Sequence, residues 1–88
     1  MKVIKFSTSW CGPCKAYAPI FEKVSKDEKF EGVEFEAIDA EKEPDMATEF
    51  GIISVPSTVI ISEEKVVERI TKMMTEAELV DVISKHLV

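Results

Sequence analysis

Cys11 and Cys14, held three residues apart in the stretch Trp10-Cys11-Gly12-Pro13-Cys14, are the side chains of this sequence best suited to chemistry. A bridge between them would close so small a loop that it removes little unfolded-state entropy, which argues against a purely structural staple. Reactivity is the better explanation: in a reducing compartment a Cys-x-x-Cys pair near a βαβ pattern is more often redox-active or metal-binding than structural. A tetrahedral metal site needs about four ligands. This chain adds one distant histidine, His86, to the two thiols, so no metal site is expected. Thiol–disulfide exchange needs a thiolate, and a free cysteine of pKa ~8.5 is mostly protonated at neutral pH. The site must therefore lower that value. A helix N-terminus does so, through its unpaired N–H groups and the positive end of its macrodipole.

The flanking sequence supplies that helix start. Val3-Ile4-Lys5-Phe6-Ser7 has β character, and Lys2 to Ser7 is predicted as the first strand. Tyr17, Ile20, Phe21 and Val24 then recur at helical spacing, giving a helix from about Cys11 to Ser25 whose apolar stripe packs on a sheet. Pro13 is harmless in the first turn, whereas Pro19 frees the carbonyl of Lys15 and is expected to kink the helix. Lys26 to Gly32 reads as a charged connector and Val33 to Ala40 as a second strand, parallel to the first if the helix is its crossover. Pro44 suits the start of a short helix carrying Met46, Ala47 and Phe50 on one face, and Gly51 its stop. Ser57 to Ile61 and Val66 to Ile70, separated by Ser62-Glu63-Glu64-Lys65, read as an antiparallel hairpin. A last helix opens with Thr75 and Glu78 in a capping-box pattern, has Met74 and Leu79 placed as a hydrophobic staple, and turns Leu79, Val82, Ile83 and Leu87 inward.

With 88 residues the chain has room for one core, hence one domain spanning 1–88 and one main site. Its 45% apolar and 32% charged residues are the balance of a soluble globular protein, and no segment reaches the ~20 apolar residues of a membrane span. The N-terminus lacks the pattern of a secretory signal, so a cytoplasmic location is expected. A net charge of −6 points away from nucleic acid, whose phosphates demand clustered cations. The acidic run from Glu41 to Asp45 and the pair Glu63-Glu64 read as solvated loops.

The order βαβ, α, ββα, with Trp10-Cys11-Gly12-Pro13-Cys14-Lys15, then Ala18-Pro19, and Val55-Pro56 before the third strand, resembles the thioredoxin family over nearly the whole chain. The resemblance implies an α/β three-layer sandwich with a four-stranded mixed sheet, lacking the strand and helix with which family members usually begin. It implies a monomeric protein-disulfide reductase whose partners are disulfide-containing proteins. It implies no bound cofactor, only a redox-active Cys11–Cys14 disulfide re-reduced by an external donor, a thioredoxin reductase drawing on NADPH. Three positions depart from the family. Lys5 stands where a buried acid is usual and Ala37 where its lysine partner is usual, which removes the proton acceptor ordinarily assigned to the second cysteine. Lys72 replaces a glycine that often precedes the last helix, and this is expected to put a long cation beside the substrate.

Within that frame Cys11, at the exposed end of the helix, is the better-placed nucleophile, and Cys14, one turn further in, the resolving thiol. Gly12 lets a substrate backbone come close and Pro13 stiffens the turn, although Gly-Pro alone would signal no more than a helix start. Pro56 on its residue type is an edge or turn proline. By resemblance it is a cis-proline that turns the backbone of Val55 toward the sulfurs, so that an extended substrate can pair there. Trp10 is either a half-buried aromatic or a shield for Cys11 and an apolar contact for substrate. Lys5 either snorkels to solvent or holds a cation near Cys14. His86, in the last turn of the final helix, is a helix-end cation rather than a ligand. Two alternatives remain open on the sequence: a glutaredoxin-like or oxidising exchanger, and a non-catalytic module that grips a partner around Trp10, Pro13, Val55 and Pro56.

Overall fold

The computed structural model describes residues 1–87. Its elements are β1 (Lys2–Ser7), α1 (Gly12–Ser25), a 3-10 turn (Glu28–Phe30), β2 (Glu34–Asp39), α2 (Pro44–Glu49), β3 (Ser57–Ser62), β4 (Lys65–Ile70) and α3 (Glu76–Ser84). The four strands form one sheet in the order β2-β1-β3-β4. β1 and β2 are parallel, as their connection through α1 demands, and the other two pairings are antiparallel.

Alternation along the central strands sorts the core into two halves, because successive side chains of a strand leave on opposite faces. Val3 of β1 and Ile60 of β3 pack with Tyr17, Phe21 and Val24 of α1 and with Leu79 and Ile83 of α3. Ile4 and Phe6 of β1 and Val59 of β3 join Ile38 on the other face, where Met46 and Ala47 of α2 and the neighbouring Phe50 cover them. Two helices on one face and one on the other make the three-layer sandwich. The central strands β1 and β3 are thereby buried on both faces, which makes the sheet a rigid base for the segment between β1 and α1.

Local signals set the element ends. Thr75 Oγ1 accepts from the Glu78 N–H at 3.1 Å while Glu78 Oε1 accepts from the Thr75 N–H at 3.0 Å, a complete capping box. Gly51 follows α2 with φ +67°, a conformation that favours glycine, and the Arg69 Nε donates to the Phe50 carbonyl beside it at 2.9 Å. Pro19 lies inside α1, which continues through it as a single helix.

Three expectations change. The charged connector 26–32 hides a core residue, since the 3-10 turn drives Phe30 into full burial beside Phe35, ring centroids 6.3 Å apart. Leu87 is exposed rather than inward, because α3 ends at Ser84 and the helical register that would have carried it to the core stops there. His86 accordingly lies beyond the helix, with Nε2 3.4 Å from Glu68 Oε1 of β4, while Lys85 pairs with the same oxygen at 2.8 Å.

Candidate active site

β1 ends at Ser7, and a short turn brings Cys11 to the N-cap of α1, in extended backbone with φ −87° and ψ 112°. Pro13 occupies the first turn, where its missing N–H leaves no helical bond unmade. The Cys14 N–H donates to Cys11 Sγ at 3.2 Å, so the cap of this helix is a sulfur. The two Sγ atoms are joined in a disulfide, with 5.2 Å between the Cα atoms. When the bridge opens, the same N–H and the positive end of α1 are in place to stabilise a thiolate at Cys11.

A loop from the far side of the sequence faces these sulfurs. Cys11 Sγ stands 3.7 Å from the carbonyl oxygen of Val55, 44 residues away. The Val55–Pro56 peptide bond is cis. Ser57 Oγ donates to the Ser54 carbonyl at 2.6 Å and ties this loop to the start of β3. Both cysteines are buried in the disulfide, Cys11 5% and Cys14 3% exposed. The expected contrast in exposure is therefore absent, because the Val55 carbonyl covers the Cys11 side. What separates the two is position: Cys11 touches the loop, and Cys14 lies three residues further along, inside α1.

Trp10 is 69% exposed and Ile53 92% exposed, and both line a groove of about 360 Å3 with Thr8, Pro44, Ala47 and Val55. Large apolar side chains this open mark a surface where a partner can bury area. Gly12 is exposed, its φ lies outside the left-handed region, and a Cβ built on it meets nothing within 4 Å. The fold thus makes no demand for glycine at this position. Ile53 and Thr8 escaped the sequence reading: an isoleucine beside Ser54-Val55-Pro56 was the available signal for the first, and no local pattern marks the second.

Lys5 is buried rather than turned to solvent. It is 6% exposed, and its ammonium lies 5.5 Å from the centroid of the Phe21 ring, two turns of α1 beyond Cys14. Burial lowers its pKa below the ordinary ammonium value, against a smaller upward pull from Glu22. It therefore does not snorkel freely to solvent; the aromatic face of Phe21 is the favourable surface within reach of a side chain leaving the α1 face of β1. Ala37 is its register neighbour on β2 and Thr58 on β3. Thr58 Oγ1 and the Tyr17 hydroxyl share a buried hydrogen bond of 2.8 Å, and burial pushes the Tyr17 pKa up to about 12, so the phenol stays neutral. Tyr17, three residues after Cys14, was legible from the sequence only as part of an apolar stripe. Lys72 is exposed, hydrogen-bonds Glu78 Oε2 at 2.9 Å, and lies outside the lining of the groove.

Among the described residues no group of three or more His, Cys, Asp or Glu could hold a metal ion. Nor is any helix among them long and apolar enough to cross a membrane. Residues 1–85 match the family model for thioredoxin. A Streptomyces coelicolor protein designated a thioredoxin 2 is 37% identical over 83 residues, 94% of this chain and 60% of that relative, so the chain spans about three fifths of its length. A Staphylococcus haemolyticus thioredoxin is 28% identical over 88 residues, 99% of this chain and 83% of the relative. The crystal structure of a Nicotiana alata thioredoxin superposes with a TM-score of 0.87 at 35% identity, covering 97% of this chain and 71% of that one.

Proposed function

This chain belongs to the thioredoxin family, and from that premise we propose that it reduces protein disulfides through a cycle of the Cys11/Cys14 dithiol. Cys11, as thiolate, attacks one sulfur of a substrate disulfide; that S–S bond breaks, the displaced substrate sulfur takes up a proton, and a mixed disulfide forms at Cys11. Cys14 then gives up its proton and attacks Cys11 Sγ. The second substrate sulfur leaves and is protonated, so the substrate gains two electrons and two protons and the Cys11–Cys14 disulfide is restored. An external two-electron donor, a thioredoxin reductase drawing on NADPH, returns the pair to the dithiol. The protein works as a monomer in the cytoplasm, and its substrates are disulfide-containing proteins.

The observation that carries this reading is the sulfur cap of α1 set against the Val55 carbonyl. One contact stabilises a thiolate and the other offers backbone at which an extended substrate segment can pair. Trp10 and Pro56 flank that segment, Gly12 leaves it room, and Pro13 keeps the two sulfurs on one turn. Lys5 shapes the underside of α1, and Lys72 supplies a cation at the mouth of α3.

The test is reduction of a protein disulfide by the intact chain, with Cys11→Ser and Cys14→Ser variants alongside. Cys14→Ser should stop turnover and accumulate a mixed disulfide at Cys11. Turnover by Cys11→Ser at the wild-type rate would refute the assignment. Supplying reductase with NADPH in one arm and glutathione in the other identifies the donor, and the reductase arm is expected to be the faster.

A further inference from the structure

The groove beside Cys11 is apolar where Trp10 and Ile53 stand open to solvent, and polar but neutral where the exposed Thr48 and Ser54 line it. Its α2 side has a charged edge. Ala40 and Pro44 line the groove, and Glu41, Glu43 and Asp45, their neighbours in the chain, are all exposed. Glu41 is held at that edge, because Ser9, the residue before Trp10, donates its Oγ to Glu41 Oε1 at 3.1 Å. None of these three carboxylates joins an ion pair among the described residues, whereas Glu22, Glu36, Glu68, Glu76 and Glu78 each pair with a lysine. Between residues 40 and 45 the one cation is Lys42. Of the nearest others, Arg69 is turned to the Phe50 carbonyl at the end of α2, and Lys72 is bound to Glu78 outside the groove lining.

We propose that this groove docks cationic disulfide partners: extended protein segments that carry Lys or Arg close to the attacked cysteine. The proposal rests on the disulfide-reductase reading of the site and names its substrate class. Two independent features of the groove select the same kind of side chain. Trp10 and Ile53 offer apolar surface to the methylene stem of a lysine or arginine while the carboxylate edge meets its charged head. The open indole of Trp10 is also a face over which a cation is held favourably. Val55 belongs both to the groove and to the contact with Cys11 Sγ, so a segment paired along Val55 enters the groove whose opposite edge is at Pro44. An exposed carboxylate acts over about a Debye length, ~8 Å at physiological ionic strength, which an extended segment spans in about two to three residues. Because the edge stays wet, it acts through the rate of encounter and the rejection of anionic segments more than through tight binding. An acidic segment meets like charge there, with Lys42 alone to offset it.

The experiment measures kcat/KM for disulfide-bonded peptides that differ only in carrying Lys, Gln or Glu at both positions two residues from the attacked cysteine, each normalised to the rate on 2-hydroxyethyl disulfide. Wild type should reduce them in the order Lys, Gln, Glu, with about tenfold between the extremes at about 0.02 M salt and about twofold at about 0.5 M. Combining Glu41→Gln, Glu43→Gln and Asp45→Asn should bring the three peptides together at low salt. The double variant Glu63→Gln, Glu64→Gln lowers the net negative charge at the hairpin turn, at the far end of β3 from Val55, and should keep the wild-type order. The salt dependence of wild type is read without any variant, so it decides even if the triple variant folds poorly. Equal rates for the three peptides, a preference that salt does not weaken, a preference that survives the triple variant, or its loss in the hairpin variant would each overturn the proposal while leaving the reductase reading standing. Failure of wild type to reduce any disulfide, 2-hydroxyethyl disulfide included, would overturn both.

Discussion

Replacing Lys5 with methionine should stabilise this protein. Lys5 is 6% exposed, and its ammonium faces the Phe21 ring at 5.5 Å with no hydrogen bond or ion pair to it among the described residues. Methionine has nearly the same length and removes the charge. The apolar tip gains about one methylene of burial, about 0.8 kcal/mol, and removing a buried polar head without a hydrogen-bonding partner gains about 1–3 kcal/mol. Against this stands the lost attraction of the ammonium for the Phe21 face, about 0.5–2 kcal/mol. The balance is a gain of about 1 kcal/mol, or about 4–8 °C in Tm for a domain of this size. The sign depends on pH in a way that isolates the cause. Burial depresses the folded-state pKa of Lys5 below 10.5, so the unfolded chain binds the extra proton and wild-type stability rises as pH climbs from the depressed value toward 10.5. The advantage of the methionine variant is thus largest near neutrality and shrinks through that alkaline window. Thermal and urea unfolding of both oxidised proteins at neutral and alkaline pH measure it. A variant less stable than wild type at neutral pH, or an advantage that does not shrink on raising the pH, would refute the reasoning.

Phe30→Ala, in the 3-10 turn between α1 and β2, should cost about 3–5 kcal/mol in urea unfolding, since it empties a fully buried site; a cost below about 1 kcal/mol would show that the turn is not part of the core. Glu63 and Glu64 occupy the hairpin turn with φ 53° and φ 66°, and Glu63→Asn with Glu64→Gly should raise stability by about 1 kcal/mol in the same measurement. The Thr75 N–H, and after it Lys72, hold the Glu78 carboxylate at a pKa of about 2. The stabilisation this gives α3 is fully present above the unfolded value near 4.5 and lost as pH falls through about 2, so an acid titration of helicity should lose that step in Glu78→Gln.

The legible part of this protein was local. Local signals placed every strand and the starts of α1, α2 and α3 within a residue or two, because they lie inside each element: the Thr75/Glu78 box, Gly51 after a short helix, and Pro13 in the first turn of α1. The helix start at the two thiols was legible for the same reason, while the bond from the Cys14 N–H to Cys11 Sγ came only from the structure. Phe30 was missed because a three-residue turn leaves no periodicity to count, and Leu87 was misplaced because a helix end is set by what α3 meets as much as by its sequence.

What only the tertiary structure decided is everything that joins distant segments. Docking of the 54–56 loop against the start of α1 put the Val55 carbonyl at Cys11, across 44 residues of chain. The same docking closed the groove around Thr8 and left its hydroxyl without a partner. The packing of α1 on β1 decided that Lys5 lies over Phe21 rather than in water. Sequence by itself determined that two thiols would sit at a helix start, because backbone geometry over four residues is a local matter. It could not determine what faces them, because that depends on how the helices and loops pack across both faces of a finished sheet.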